Sequence, residues 1–564
     1  MNKTPFITLV YFIGLLSCGQ GPGADLILIN GNIHTMNENK DSVQALAIKN
    51  GKIVALGKNQ DIMNLNTENT KVIDLEGKQV LPGFTDAHIH PVSGGLAFLE
   101  CGLVDLKSPK SILDSLKIYA SLHPEKKWIR GENLWLAAFT NGSPLKTTLD
   151  SIIPDRPVYI TSMDGHNAWV NSKALQIANI TKETPDPVNG KIERWPGTKE
   201  PSGTLRENAM DLVRQHLPSY NEEDRKHALI KAIELANTYG ITTLNEASAG
   251  LEYIHTYYEL ENEKKLNAHI NISIYCDISK GINEAKRVIR LRDSLVKIKS
   301  EINPNQVKLF MDGVVEGKTA AMLENYADDH HHGISNAPYD TALAVILALD
   351  KAGIQIHVHA IGDRGIRTTL DGFEYAIKSN GKRPTRHHIA HLQVIHPDDI
   401  PRFKSLGIIA NFQALWATWE DSYMTDLNRP FLGQERMEWQ YPIGTLHRTG
   451  ARIVYGSDWD VSTQNPFHAI QVAVNRRGPD SIKREPWTPQ HLIGRYEVIK
   501  GYTVNGAYVT YREKETGSLE KGKWADLIVL DRDIFNTDRF DIYKTRVLKT
   551  FFKGKLVYEK GGEK

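Results

Sequence analysis

The chain has 564 residues, which at roughly 150 residues per domain allows three or four domains, or one large α/β barrel with an appended domain. Hydrophobic residues make up 41% and charged residues 24%, an ordinary globular composition that excludes a disordered, collagen-like or coiled-coil chain. Lys+Arg 68 against Asp+Glu 67 leaves a net charge of +1, with no basic excess to steer the protein to nucleic acid, and three cysteines are too few for a disulfide framework. Histidine is the unusual residue: there are 21, many in tight groups.

Residues 1–17, MNKTPFITLVYFIGLLS, join one lysine to a short uncharged apolar run and end on a small residue before Cys18. A bilayer span needs about 20 apolar residues, so the run is too short to cross and reads as a secretory signal. Leu15-Leu16-Ser17-Cys18 also resembles a bacterial lipobox, in which the cysteine becomes a lipidated N-terminus. The expectation is an exported chain tied to the cell envelope, periplasm or outer membrane, through Cys18; the alternative is an ordinary signal cut near Gly23. No other stretch is apolar and long enough to span a membrane.

From Ala24, short alternating runs (DLILINGNIHTM, ALAIKNGKIVALG, KVIDLEGKQVLPGF) are split by Asn-Gly turns, as in hairpins. The C-terminus repeats the style with GSLEKGKWADLIVLD and VLKTFFKGKLVYEKG. Neither end makes a comfortable core alone, so residues 24–80 and 505–564 are expected to meet in one small β-sandwich. Between them, helical runs ending in glycine precede short strands: ALIKAIELANTYG before ITTLNEA, TALAVILALDKAG before IQIHVHA, IPRFKSLG before IIANFQ. That alternation predicts an α/β fold, a (β/α)8 barrel over 81–504. The stretch from about 92 to 220 exceeds one βα unit and reads as an insertion shaping the site.

The histidines gain meaning from their places. His88 and His90 close the run after VLPGF; residues i and i+2 of a strand share a face, so both can point at one metal. Lys308 lies inside the apolar strand VKLFMDG, where a lysine is expensive unless it pairs with Asp312 or Glu316, or is carbamylated into an anionic oxygen ligand. HVHA and HHIAH each end a strand, and the C-terminal end of a barrel strand faces the active-site mouth. This selects His359 and His391 as ligands and leaves His357 and His387 to deeper supporting or core positions. Asp458 closes the late strand IVYGSD. His330-His331-His332, in a polar loop, reads as surface.

The ordered set DAHIH, VKLFMDG, HVHAIGDRG, HIAHLQ and YGSDWDVSTQNPF resembles the amidohydrolase superfamily. DGHNAWVNSKAL, DGVVEGKTAAML and GSLEKGKWADLIVLD look like its amidohydrolase-3 branch, which includes N-substituted formamide deformylases. The resemblance implies a metal-bearing barrel with His88 and His90 on the more buried ion. It makes Lys308 a carbamylated bridge, puts His359 and His391 on a second ion, and sets Asp458 beside the attacking water. Family members vary at the lysine position; Glu316 is a carboxylate that can take its place, and a site with one ion leaves Lys308 a plain cation. His166 matches the family's DGH segment and is a candidate donor to the oxyanion, or else a loop-stabilising histidine.

One or two divalent ions, zinc foremost, would acidify water and polarise a carbonyl, while Asp458 would carry the proton to the leaving nitrogen. The expected activity is hydrolysis of a non-peptide C–N bond (amide, N-acyl or N-formyl) of a small molecule by metal-activated hydroxide. The alternatives are a deaminase or esterase on the same scaffold, or an exported binding lipoprotein without chemistry. Trp416, Trp419 and Trp459 are candidate walls of the pocket. The sequence leaves the substrate and the oligomeric state open; a homo-oligomer is compatible with it.

Overall fold

The computed structural model describes residues 23–39, 42–104, 106–479 and 483–561; the expected signal segment 1–17 and Cys18 lie outside the described residues. Eight parallel strands form one sheet in chain order. They are β1 (Phe84–Ile89), β2 (Ile241–Ala249), β3 (His269–Tyr275), β4 (Asn303–Phe310), β5 (Gln355–Ala360), β6 (His388–His391), β7 (Ile409–Phe412) and β8 (Ile453–Tyr455). Such strands are covered on both sides, so they read as nearly continuous buried runs: every residue of β5, QIHVHA, is buried.

The sheet curls until its first and last strands meet. Asp458 N–H donates to the His88 carbonyl at 2.7 Å, and His90 N–H donates to the Trp459 carbonyl at 2.8 Å. Gly456 permits that approach, since a Cβ there would lie 2.5 Å from the Cβ of His88. Inside the barrel, Asn245 of β2 and Asn411 of β7 each donate to the Ala87 carbonyl at 2.9 Å, holding β1 from two sides.

The helices expected from sequence surround the barrel, including Glu222–Thr238, Tyr339–Lys351 and Ile400–Leu406. The first of these opens with a reciprocal cap between Asn221 and Asp224 and turns Ala228, Leu229, Ala232 and Ile233 inward. Among the described residues no helix is long and apolar enough to cross a membrane.

Strands from both chain ends share one sheet: Leu527–Leu530 pairs antiparallel with Gln79–Pro82, which pairs with Asn32–His34. A four-stranded sheet carrying Leu26–Ile29 and Ala45–Lys49 contributes to the same core, where Leu28, Leu46, Val80, Leu527 and Phe551 are buried together. The passage from barrel to β layers falls later than residue 505. The helix Val504–Val509 belongs to the barrel, because Asn505 Nδ2 donates to the Ile453 carbonyl and Gln355 Nε2 to that of Val509; Leu519 is the first residue past it in the β core.

A six-stranded mixed sheet, from Cys101–Gly102 to Pro201–Glu207, is inserted between β1 and the helix Glu222–Thr238. Its antiparallel pairing of Asn167 with Arg206 sets His166 beside Glu207.

Candidate metal centre and active site

His88, His90, His166, Lys308, His359, His391 and Asp458 all line one cavity of about 1270 Å³ at the C-terminal ends of the barrel strands. Trp416, Trp419 and Trp459 line it as well. His357 and His387 do not: His357 lies beneath His88, and His387 is closed against Asp350 at 2.9 Å. His330, His331 and His332 are exposed in their loop.

At the centre, Asp458 Oδ1 stands 3.3 Å from His88 Nε2 and 3.2 Å from His90 Nε2, and Asp458 Oδ2 is 3.7 Å from His391 Nδ1. Yet Asp458 Oδ1 is buried and accepts no hydrogen bond. Burial opposes its charge, but the carboxyl is held well below the usual range, and the charged ring beside it is His90, whose own pKa Asp458 and Glu246 raise to about 9 against burial.

The reason the contact lacks a donor can be traced across the barrel. Gln355 Nε2 donates to the Arg386 and Val509 carbonyls at 2.7 and 2.9 Å, so its Oε1 accepts from Gln306 Nε2 at 2.8 Å. Gln306 Oε1 then accepts the hydroxyl proton of Ser273, whose oxygen is left to accept from His357 Nδ1 at 3.1 Å. His357 Nε2 is therefore bare and accepts from His88 Nδ1 at 2.9 Å, and His88 Nε2 carries a lone pair toward Asp458. Burial and the neighbouring Lys308 charge keep His88 neutral, with its pKa lowered to about 3.

The other rings are set in the same way. His359 Nε2 donates to the Gly313 carbonyl at 3.1 Å, leaving Nδ1 bare; His391 Nδ1 donates to Gln413 Oε1 at 2.8 Å, leaving Nε2 bare. The two rings are 4.5 Å apart. His90 Nδ1 faces Glu246 Oε1 at 3.6 Å, and Tyr257 fixes that carboxylate at 2.8 Å. Lone pairs of nitrogen and oxygen that face one another in a buried pocket repel unless a cation lies between them, and this donor set suits a divalent transition metal. The residues fit the ion: His88, His90 and Asp458 offer ligand atoms within 4.8 Å of one another.

Lys308 Nζ lies 3.3 Å from His88 Nε2, and burial pushes its ammonium down to about 7. It pairs with neither acid that the sequence offered. The Asp312 carboxylate is filled by the amides of Ile361, Gly362 and Ala321 at 2.9–3.0 Å, and among the described residues Glu316 forms no ion pair. Asp312 is a structural clamp on the turn after β5, and Glu316 lines the cavity without an ion pair among the described residues.

His166 Nδ1 contacts Glu207 Oε2 at 2.8 Å, and Thr319 donates to Glu207 Oε1 at 2.6 Å. Against the opposing pull of burial, Glu207 raises the His166 pKa to about 9, so the ring is an imidazolium at neutral pH. Its centroid is 5.3 Å from that of His359, which sets a charged donor beside the centre. Glu246 and Glu207 escaped the sequence reading. The first ends a barrel strand in ITTLNEA and carried a signal; the second has none, because its partner lies 41 positions away.

Residues 71–558 match the model of the amidohydrolase family. The chain is 30% identical to the protein LONG AFTER FAR-RED 3 of Arabidopsis thaliana, over 98% of this chain and 95% of that one. It is 26% identical to the N-substituted formamide deformylase of Arthrobacter pascens, over 95% and 99%. A crystal structure of an uncharacterised metal-dependent hydrolase from Pyrococcus furiosus superposes with a TM-score of 0.68 at 25% identity, covering 91% of this chain and 100% of that one. The chain belongs to the amidohydrolase family, and it is a metal-dependent hydrolase that acts on carbon–nitrogen bonds other than peptide bonds.

Proposed function

We propose that the enzyme hydrolyses the amide bond of a small N-acyl or N-formyl amine. The observation that carries this reading is the orphaned Asp458 Oδ1, set 3.3 Å from the lone pair of His88 Nε2 and 3.2 Å from His90 Nε2 at the mouth of the barrel. His88, His90 and Asp458 would hold one divalent ion, His359 and His391 a second, with zinc the first candidate; Lys308, carbamylated, would lie between them. An ion bound there supplies a water acidified to near neutral pKa and polarises the scissile carbonyl.

The chain's own groups do the rest. Asp458, whose carboxyl is held well below the usual range, accepts a proton from water and returns it to the departing nitrogen. The imidazolium of His166, fixed by Glu207, donates to the oxygen that gains charge as the carbonyl is attacked. Burial lowers Lys308 toward neutral pH, which supports the carbamate, because only the neutral amine attacks carbon dioxide.

The test is turnover of a panel of N-formyl and N-acyl amines by metal-loaded protein, scored for released carboxylate and for ammonia. Carboxylate release that vanishes in Asp458→Ala supports the amidase; ammonia release makes the enzyme a deaminase instead. We also propose that the chain is exported and lipid-anchored through Cys18. Cys18→Ala should move the protein from the membrane to the soluble fraction, and a wild-type protein already soluble would refute the anchor.

A further inference from the structure

One part of the cavity wall lacks a counter-charge. Of the cations lining the cavity, Lys107 faces Glu420 at 3.8 Å, Arg214 pairs with Asp211 at 2.9 Å, Arg484 with Asp421 at 2.7 Å, and Lys308 sits at the metal centre. Glu316 has none of them. Among the described residues its carboxylate has no ion pair and no side-chain donor, and its charged neighbours are Asp164 and His166. Asp164 accepts only from neutral groups, Ser162, Asn167 and the His166 amide, while the His166 ring is already committed to Glu207. Three carboxylates thus share one imidazolium.

A second observation marks the same wall. Asn428 is 2% exposed and lines the cavity, and its Oδ1 is buried without a donor. Gln440 Oε1 accepts from both Gln393 Nε2 at 2.9 Å and Asn428 Nδ2 at 3.2 Å, so the amide nitrogen of Asn428 is spent there and its oxygen is turned away. Glu316 and Asn428 line the same cavity; Val315, next to Glu316, and Met424, whose sulfur Asn428 Nδ2 contacts at 3.5 Å, belong to one apolar cluster behind it. Tyr423 and Tyr441, both lining the cavity, lie in the field of Glu316.

We infer that this wall is a subsite for an organic ammonium: Glu316 supplies the counter-charge, Asn428 Oδ1 accepts an N–H, and the tyrosine rings offer their faces. The inference rests on the reading of the cavity as the substrate site. It narrows the substrate to an N-acyl or N-formyl amine that carries a second, positively charged nitrogen. A half-buried carboxylate without a partner is costly, and loss of water around it lifts Glu316 to about 7; a bound ammonium offsets that cost.

The test is calorimetric binding of benzylammonium, benzyl alcohol and phenylacetate to the metal-loaded wild type and to Glu316→Gln at pH 8. Benzylammonium should bind the wild type on the order of tenfold more tightly than benzyl alcohol, phenylacetate should be weakest, and Glu316→Gln should erase the preference. Equal binding of all three, tighter binding of phenylacetate, no binding of benzylammonium at millimolar concentration, or an unchanged preference in Glu316→Gln overturns the subsite. The ranking on the wild type decides the matter if the variant fails to fold. Binding needs no turnover, so a chain that keeps this ranking but hydrolyses no N-acyl or N-formyl amine loses the proposed reaction and keeps the subsite.

Discussion

The barrel carries two populations of buried histidine, and they are finished differently. Away from the cavity, His387 and His269 are each closed by a carboxylate. His387 Nε2 meets Asp350 Oδ1 at 2.9 Å while its Nδ1 accepts the Ile356 amide at 3.0 Å, and Asp350 also takes Asn380 and Arg383. His269 Nε2 meets Asp526 Oδ2 at 2.8 Å, tying β3 to the β layers. At the mouth, His359 and His391 each spend one nitrogen on a fixed acceptor and leave the other bare, His88 Nε2 meets only Lys308 at 3.3 Å, and Asp458 Oδ1 accepts no hydrogen bond. Equal burial thus goes with opposite roles: a closed circuit holds the fold, and an open one awaits a cation.

Breaking each circuit should give opposite signatures. Asp458→Asn keeps the shape but removes the proton carrier, and kcat on any amine derivative the wild type cleaves should fall on the order of 10³-fold, with the melting temperature little changed. Asp350→Asn should do the reverse. It strips the charge from a buried pair and should cost about 3 kcal/mol in denaturant unfolding, while the folded fraction keeps its wild-type kcat. A kcat loss in Asp350→Asn matching that of Asp458→Asn would erase the distinction.

A finer cut lies along the relay beneath His88. Gln306→Leu leaves Ser273 without its acceptor, so His357 no longer has to present a bare Nε2 to His88. Metal affinity, measured by competition with a chromophoric chelator, should weaken by about 10–100-fold, although Gln306 touches no ligand atom. Unchanged affinity would mean that the ring of His88 is set by packing alone. The smallest effect is expected at Glu207→Gln, which keeps a hydrogen bond to His166 but removes the charge that raises it; kcat should drop by about tenfold with KM nearly constant. A change confined to KM would make His166 a substrate-holding group.

What the sequence disclosed follows from local geometry. Two-residue periodicity and the C-terminal ends of strands were enough to pick His88, His90, His359, His391 and Asp458, because the direction of a strand side chain is fixed by its parity. The relay of Ser273, Gln306 and Gln355 was invisible, since three buried polar residues on three strands look like any others until the register across β3, β4 and β5 is known. Glu207, Glu316 and Asn428 come from the insertion, from the segment after β4 and from the segment after β7, and only the closed fold makes them neighbours of the cavity. Sequence spacing also misled once: Asp312 and Glu316 follow Lys308 closely, but the backbone turns Asp312 onto three amides and carries Glu316 toward Tyr423 and Tyr441.

Metal content per chain shows whether the open circuit at the mouth is a metal site. Protein purified without chelator and reconstituted with zinc and bicarbonate should hold about two equivalents, and His88→Ala combined with His90→Ala should lower that number while Asp350→Asn leaves it intact. A wild-type chain that retains no divalent ion after reconstitution would mean that the imidazoles gathered around Asp458 are not a metal site.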